Sequence, residues 1–298
     1  MADSDKVIAA VLGAWAVVGL VWAIARSRRS RRREEVQVDV KTSNLPAAPL
    51  PLLELKVPKV GGKPMVVSSV ECDCFDDEGQ EAVRLELKLH SEVQDTGCEG
   101  WKWINELIEK AALDRAKQFV PVSTMGVEKY RQVIELPRSI GKLKSVELLG
   151  LYGSNLVRIP PEIGEMSSLV EFDPYTSYRL HWMPYEIVRC SKLRQSRVST
   201  RTLYGNYTYR VPFPRLPQDP GGIGQGTDSV RRCSVCDIRP AVPGFQVWLS
   251  ANPARDVLPL LVNACSQECV DRLPPAADGY IRGPHRGGLD LEQPPPEY

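Results

Sequence analysis

Leu136 to Leu151 reads LPRSIGKLKSVELLGL, and 23 residues further on Ile159 to Pro174 reads IPPEIGEMSSLVEFDP. Each copy sets an apolar residue before a proline, at Leu136-Pro137 and Ile159-Pro160, and follows it with Ile140-Gly141 or Ile163-Gly164. Leu143, Val146, Leu149 and Leu151 continue the first copy, and Met166, Leu169 and Phe172 the second. A looser third copy begins at Met183-Pro184, keeps Ile187 and Leu193, and lies 24 residues beyond its counterpart. Such a period marks a coiled chain in which each unit buries its apolar side against its neighbours.

This pattern resembles the leucine-rich repeat family in its LPxxIGxLxxLxxLxL form, over about residues 134 to 206. The resemblance implies an α/β fold: a short solenoid in which each turn adds a strand to a parallel sheet and points its apolar positions inward. Ser154 stands where the family has a buried Asn, with Asn155 one position late. Pro174 falls in a strand, and an insertion surrounds Tyr178 to Trp182, so a regular horseshoe is not expected. Three turns are near the minimum for a stable stack, and both ends need covers. Trp101, Ile104, Leu107, Ile108, Ala111 and Ala112 recur at helical spacing, predicting an amphipathic helix from Trp101 to Phe119, closed by Pro121, at the first end. Tyr204 to Phe213 is the candidate cover at the other.

Aligning the copies places Leu148, Glu171 and Gln195 in one row of the concave face, Gly150, Asp173 and Arg197 in the next, and Tyr152, Tyr175 and Ser199 in the third. Adjacent strands lie about 4.8 Å apart, so Asp173 and Arg197 are expected to pair across the sheet. Exposed tyrosines supply the contacts that protein partners favour, and these nine residues form the candidate partner surface. The aromatic run Tyr175, Tyr178, His181, Trp182 and Tyr185 is explained equally well by packing of the insertion.

Cys233-x-x-Cys236 is followed by Cys265-x-x-x-Cys269, two close pairs of soft ligands that suit one tetrahedral ion. Phe245, Val247 and Leu249 alternate as in a strand, Val257 to Val262 form its neighbour, and Cys265 to Leu273 read as a short helix. Knuckle, hairpin and helix resemble a treble-clef zinc finger, which implies a structural Zn2+ bound by all four cysteines. Two disulfides are the rival reading and require an oxidising compartment. Cys72 and Cys74 flank an aspartate, but with Cys98 they offer no evident fourth ligand.

Val7 to Ala25 holds no charge over 19 residues, long enough as a helix to span roughly 30 Å of hydrocarbon. Arg26, Arg28, Arg29, Arg31, Arg32 and Arg33 follow it. With Asp3, Asp5 and Lys6 before the apolar run and the arginines after it, the positive-inside rule predicts a single-pass anchor with the body cytoplasmic and the lipid bilayer as a partner. A cleaved signal peptide would carry its positive charge ahead of the apolar run. The expected plan is an anchor with basic flank at 1–33, a Pro-rich spacer at 34–63, a hairpin and capping helix at 64–121 and the repeat at 122–213. A linker at 214–230, a zinc module at 231–275 and a disordered tail at 276–298 complete it.

Beyond residue 33 the chain holds 31 Lys and Arg against 35 Asp and Glu, a balance that opposes nucleic-acid binding. Gly222-Ile223-Gly224-Gln225-Gly226 lacks the strand, helix and Lys-Ser or Lys-Thr pair of a phosphate loop. His90, His181 and His285 are the three histidines, and none sits in a catalytic motif. The expected function is a non-enzymatic, membrane-tethered interaction or scaffold protein. An enzyme or ubiquitin-ligase-like component and a nucleic-acid-binding zinc protein are the alternatives.

Overall fold

Pro137, Pro160 and Pro184 each hold extended backbone at the entrance to a 3-10 helix, at Arg138–Lys142, Pro161–Glu165 and Tyr185–Arg189. A ring-locked φ near −65° suits that junction, and the missing N–H falls where a helix start has no internal acceptor. The Ile-Gly dipeptides have a packing cause. A Cβ on Gly164 would lie 2.4 Å from the carbonyl oxygen of Glu186, and one on Gly141 3.0 Å from that of Glu162. Successive turns therefore stack backbone on backbone.

A computed structural model describes residues 59–60, 63–64, 87, 89–217, 232–238 and 244–296. Strand β1 (Lys59–Val60) pairs antiparallel with β2 (Lys63–Pro64) at the end of the expected spacer. Helix α1 (Glu99–Leu113) starts on Cys98, whose sulfur accepts a hydrogen bond from the Trp101 amide. The helix buries Ile104 and Ile108. It ends earlier than expected. Arg115 takes a left-handed φ of 49°, and Gln118–Phe119 form strand β3 instead of a last helical turn. Pairing with the next strand draws Phe119 into the core, and this tertiary gain outweighs helical periodicity. Short helices α2 (Val122–Met125) and α3 (Val127–Tyr130) follow.

Strands β4 (Leu148–Gly150) and β5 (Glu171–Asp173) continue the parallel sheet from β3, and β7 (Gln195–Ser196) ends it. The register sets Leu148 beside Glu171 and Glu171 beside Gln195, with Gly150 beside Asp173. Leu149 and Phe172 point the other way and are wholly buried, as are Ile140, Leu143, Ile163, Met166 and Ile187. Burying a side chain such as Phe172 is worth about 1.5–3 kcal/mol, repeated at every turn. Where a buried Asn is lacking, Ser154 and Ser177 form a 2.7 Å hydrogen bond between adjacent turns, and Asn155 donates to the Arg131 carbonyl.

The third turn contributes to a second sheet as well. Strand β6 (Met183–Pro184) pairs parallel with Leu260–Leu261 of β9 (Leu258–Ala264), which is itself antiparallel to β8 (Phe245–Ala251). This second sheet joins one strand that precedes, in the sequence, the segment expected to link two domains with two strands that follow it. Of that segment, 218–230 lie outside the described residues, whereas Leu216 is buried. Trp182 from the insertion joins Tyr204, Phe213 and Trp248 in an aromatic core, with ring centroids 5.7–6.0 Å from that of Trp248. The Trp248 indole donates to the Pro214 carbonyl at 2.9 Å, satisfying the one polar atom of a fully buried ring.

Two further expectations are corrected. The tail expected to be disordered folds back through residue 296. Trp248 and His285 exchange backbone hydrogen bonds of 2.7 and 3.0 Å, and Gly288 donates to the Phe213 carbonyl. The outer edge of β8 needs such partners, which outweighs the tail's polar composition. The expected membrane fold is also overturned: among the described residues no helix is long and apolar enough to cross a membrane. The longest, α1, has 15 residues, spanning about 22 Å, and carries Glu99, Lys102, Glu106, Glu109 and Lys110. Over the described residues the structure is a mixed α/β fold with a parallel sheet, in place of the expected solenoid with a transmembrane helix and single-pass location, and it holds no membrane-crossing helix. Val7 to Ala25 and the arginines 26 to 33 lie outside the described residues, as do Cys72, Cys74 and most of the expected hairpin.

His285 sits against Phe213 at 4.5 Å with Nδ1 accepting from the Gly287 amide, and burial lowers its pKa to about 4. The folded chain therefore binds fewer protons here than the unfolded chain between pH ~6.5 and ~4, so stability falls as pH drops through that window. Denaturant titrations are expected to show this decline in the wild type and a flatter one in His285→Gln.

Candidate metal centre

The four cysteines reach one point because the hairpin brackets them. Cys265 directly follows β9, and its carbonyl crosses the chain before β8 so closely that a Cβ on Gly244 would stand 2.6 Å from it. Helix α4 (Gln267–Asp271) is capped by Ser266, whose hydroxyl accepts from the Cys269 amide and turns that cysteine toward Cys265. Cys233 to Ile238 form a tight knuckle. Asp237 donates to the Cys233 carbonyl, Cys233 donates to that of Ile238, and Asp237 takes a left-handed φ of 59°. Ser234 fixes the knuckle to β9 by donating to the Asn263 carbonyl and accepting the Asn263 amide on its hydroxyl.

The sulfurs of Cys233, Cys236, Cys265 and Cys269 all lie within 4.8 Å of one another. Cys265 is 3.5 Å from both Cys236 and Cys269. Zinc–sulfur bonds of about 2.3 Å in a tetrahedron put sulfurs about 3.8 Å apart, so the cluster fits one ion with little movement. The separations are far beyond a disulfide bond of about 2.05 Å, and all four thiols are free. Four protein ligands leave no open position for a reacting water, which gives such a site a structural character.

The knuckle favours the thiolate form of Cys233. Burial raises the pKa of Cys233, but amides of Cys236, Val235 and Cys265 donate to its sulfur at 3.4–3.5 Å and bring it down to about 7. Cys265 behaves oppositely: the hydrogen bonds its thiol gives to the Cys236 and Cys269 sulfurs hold its proton and push its pKa up to about 12, as expected where protons on neighbouring sulfurs must be shared until a cation replaces them. The Arg272 guanidinium lies 3.6 Å from the Cys269 sulfur. Sequence spacing singled out the four cysteines that the fold brings together. It did not identify Ser234, Glu186, Arg189 or Arg272, whose roles depend on elements distant in the chain or on helix phase; only Ser266 had a local signal, the cap before a short helix.

The candidate partner surface is partly assembled. Asp173, wholly buried, accepts from the Arg197 guanidinium, with Nε at 3.0 Å from Oδ1, and the same oxygen accepts the Tyr175 amide. The guanidinium lies 5.9 Å from the Tyr152 ring centroid and 5.4 Å from that of Tyr175. Tyr175 and Arg197 are exposed, and Tyr152, Glu171, Gln195 and Ser199 half-buried. Ser199 accepts the Thr176 amide on its hydroxyl. Leu148 and Gly150, expected on the same surface, are buried. Val120 packs over Gly150, where a Cβ would approach it to 3.0 Å, because the chain leaving β3 lies across this end of the sheet. Among the other aromatics, His181 is buried, stacks on His90 and meets the Thr202 carbonyl through Nδ1.

Compared with known proteins, the chain matches no protein-family model and no curated protein. The cysteine cluster is consistent with a zinc finger and carries the chemical assignment by its own geometry. Protein purified in the presence of zinc is expected to hold about one ion per chain by elemental analysis, and a Cys233→Ser, Cys269→Ser double variant none.

Proposed function

We propose that this chain is a non-enzymatic interaction protein that engages a protein partner through the face bearing Tyr152, Tyr175 and Arg197, with one structural zinc ion stabilising its C-terminal part. The observation that carries this reading is the arrangement of Arg197, held by buried Asp173 beside two tyrosine rings. Arg and Tyr are the side chains that dominate binding energy at protein interfaces. Holding them in place before binding reduces the side-chain ordering that association otherwise costs. The surface includes Glu171, Gln195 and Ser199 but not Leu148 or Gly150.

Two resemblances support the reading without defining the partner. The repeated LPxxIG turns resemble leucine-rich repeats, whose sheets serve as binding surfaces. The knuckle, β8–β9 hairpin and α4 resemble a treble clef, a frame in which zinc replaces part of a core. The described C-terminal segments, 232–238 and 244–296, hold five arginines against seven Asp and Glu, so they offer no excess of positive charge to a nucleic acid.

Proximity labelling with the full chain tests the partner surface. A defined set of protein neighbours is expected for the wild type, and its loss when Tyr152, Tyr175 and Arg197 are changed to Ala together. Each anchor is worth about 1–2 kcal/mol, so the triple variant should weaken binding by roughly 100-fold or more. An unchanged neighbour set would remove this face from consideration.

A further inference from the structure

The metal centre and the repeat meet at one turn. The 3-10 helix Tyr185–Arg189 follows strand β6, which pairs with β9, the strand leading into Cys265. From this turn Glu186, buried, accepts a 2.7 Å hydrogen bond on Oε1 from the Ser234 hydroxyl, inside the Cys233–Cys236 knuckle. Arg189 reaches the same knuckle with both ends of its guanidinium. One nitrogen donates to the carbonyls of Cys233 and Ser234 at 3.3 and 2.9 Å, and the other to the Asp237 carboxylate at 3.0 Å. Asp237 is also held by Arg232 at 3.1 Å.

We infer that Glu186 and Arg189 are positioning residues of the metal centre, an outer shell supplied by the third repeat, so that metal binding and ordering of residues 183–190 are a single coupled event. The inference rests on the reading of the four cysteines as a zinc site. A CxxC knuckle directs amides at its first sulfur only while its carbonyls point outward, and Arg189 takes two of those carbonyls. Four thiolates around a divalent cation leave a net charge of about −2, which the guanidinium beside the knuckle offsets. Ser234 completes the path: its hydroxyl receives the Asn263 amide of β9 while giving its proton to Glu186, locking knuckle, hairpin and repeat together. The hairpin grips the same repeat further along, where the Ser196 hydroxyl donates to Asp256 at 2.9 Å. By linkage, whatever orders the turn favours the metal, and the metal favours the turn to the same extent.

The test uses the full chain, with zinc affinity measured by competition against a chromophoric chelator. Arg189→Ala and Glu186→Ala are expected to bind zinc roughly 10–100-fold more weakly, the usual effect of removing an outer-shell partner. Glu186→Gln keeps an oxygen for Ser234 and should stay within about threefold of the wild type; Arg194→Ala, at an exposed arginine of the same repeat, serves as control. Cobalt in place of zinc gives a spectroscopic readout: altered thiolate bands are expected in Arg189→Ala, because the knuckle amides shift relative to sulfur. Should the alanine variants fail to fold, amide exchange of wild-type protein decides the matter, with zinc expected to slow exchange at Cys190 and neighbours in 183–190. One zinc per chain with the same affinity in all variants, or no zinc effect on exchange in that turn, would overturn the inference and leave the zinc site intact. No zinc in the wild type would instead overturn the metal reading itself.

Discussion

Met183 and Pro184 pair with Leu260 and Leu261, and much of the C-terminal architecture depends on this two-residue contact. A strand so short contributes little by its own hydrogen bonds. Its importance is positional, because it fixes the β8–β9 hairpin against the third repeat turn and thereby sets where Cys265 emerges. It also closes the stack. The third copy carries Ser196 at the position that Phe172 fills in the second, and an apolar interior ending on a serine needs a polar partner. Asp256, from the loop between β8 and β9, supplies it through both its amide and its carboxylate. The aromatic core around Trp248 then fills the space between hairpin, insertion and returning tail.

Polar groups in this protein are buried mainly where they join segments. Asp173 is inaccessible yet holds an exposed arginine, so the carboxylate remains desolvated while the cation remains available. A buried charge left without its partner is costly, which makes the geometry of Arg197 strongly specified even though its own surface is open. Glu186, in the 3-10 helix that follows β6, is the counterpart beside the other sheet. Burial raises its pKa, the Ser234 hydroxyl opposes that rise, and the group serves as an acceptor between elements rather than as a surface charge.

The repeat period is legible in the sequence because inward-facing positions must be apolar at each turn, and the Gly141 and Gly164 positions must lack a Cβ for turns to stack. The cysteine pairs were legible because ligand spacing on a knuckle and on one helical turn is a local property. Neighbours in the sheet followed from the period as well, since Glu171 and Asp173 lie one repeat from Leu148 and Gly150. Accessibility did not follow. Val120 covers Gly150 because of how the chain leaves β3, and no residue near Gly150 in the sequence signals it.

Hydropathy and composition were weaker guides wherever long-range pairing supplied what local sequence lacked. Phe119 continues a helical pattern but is taken by the sheet, and the Gly- and Pro-containing tail reads as unstructured yet completes the edge of β8. The sequence by itself determined the repeat unit, its buried face and the two cysteine pairs, because each is set by residues within one turn or one motif. Only the tertiary structure decided that the third turn belongs to two sheets, that Glu186 and Arg189 stand behind the cysteine knuckle, and which part of the concave face is open. The first two of those outcomes depend on a strand pairing and side-chain hydrogen bonds between residues 44 to 77 positions apart, where the choice of partner is made by the packing of the whole unit rather than by any local preference.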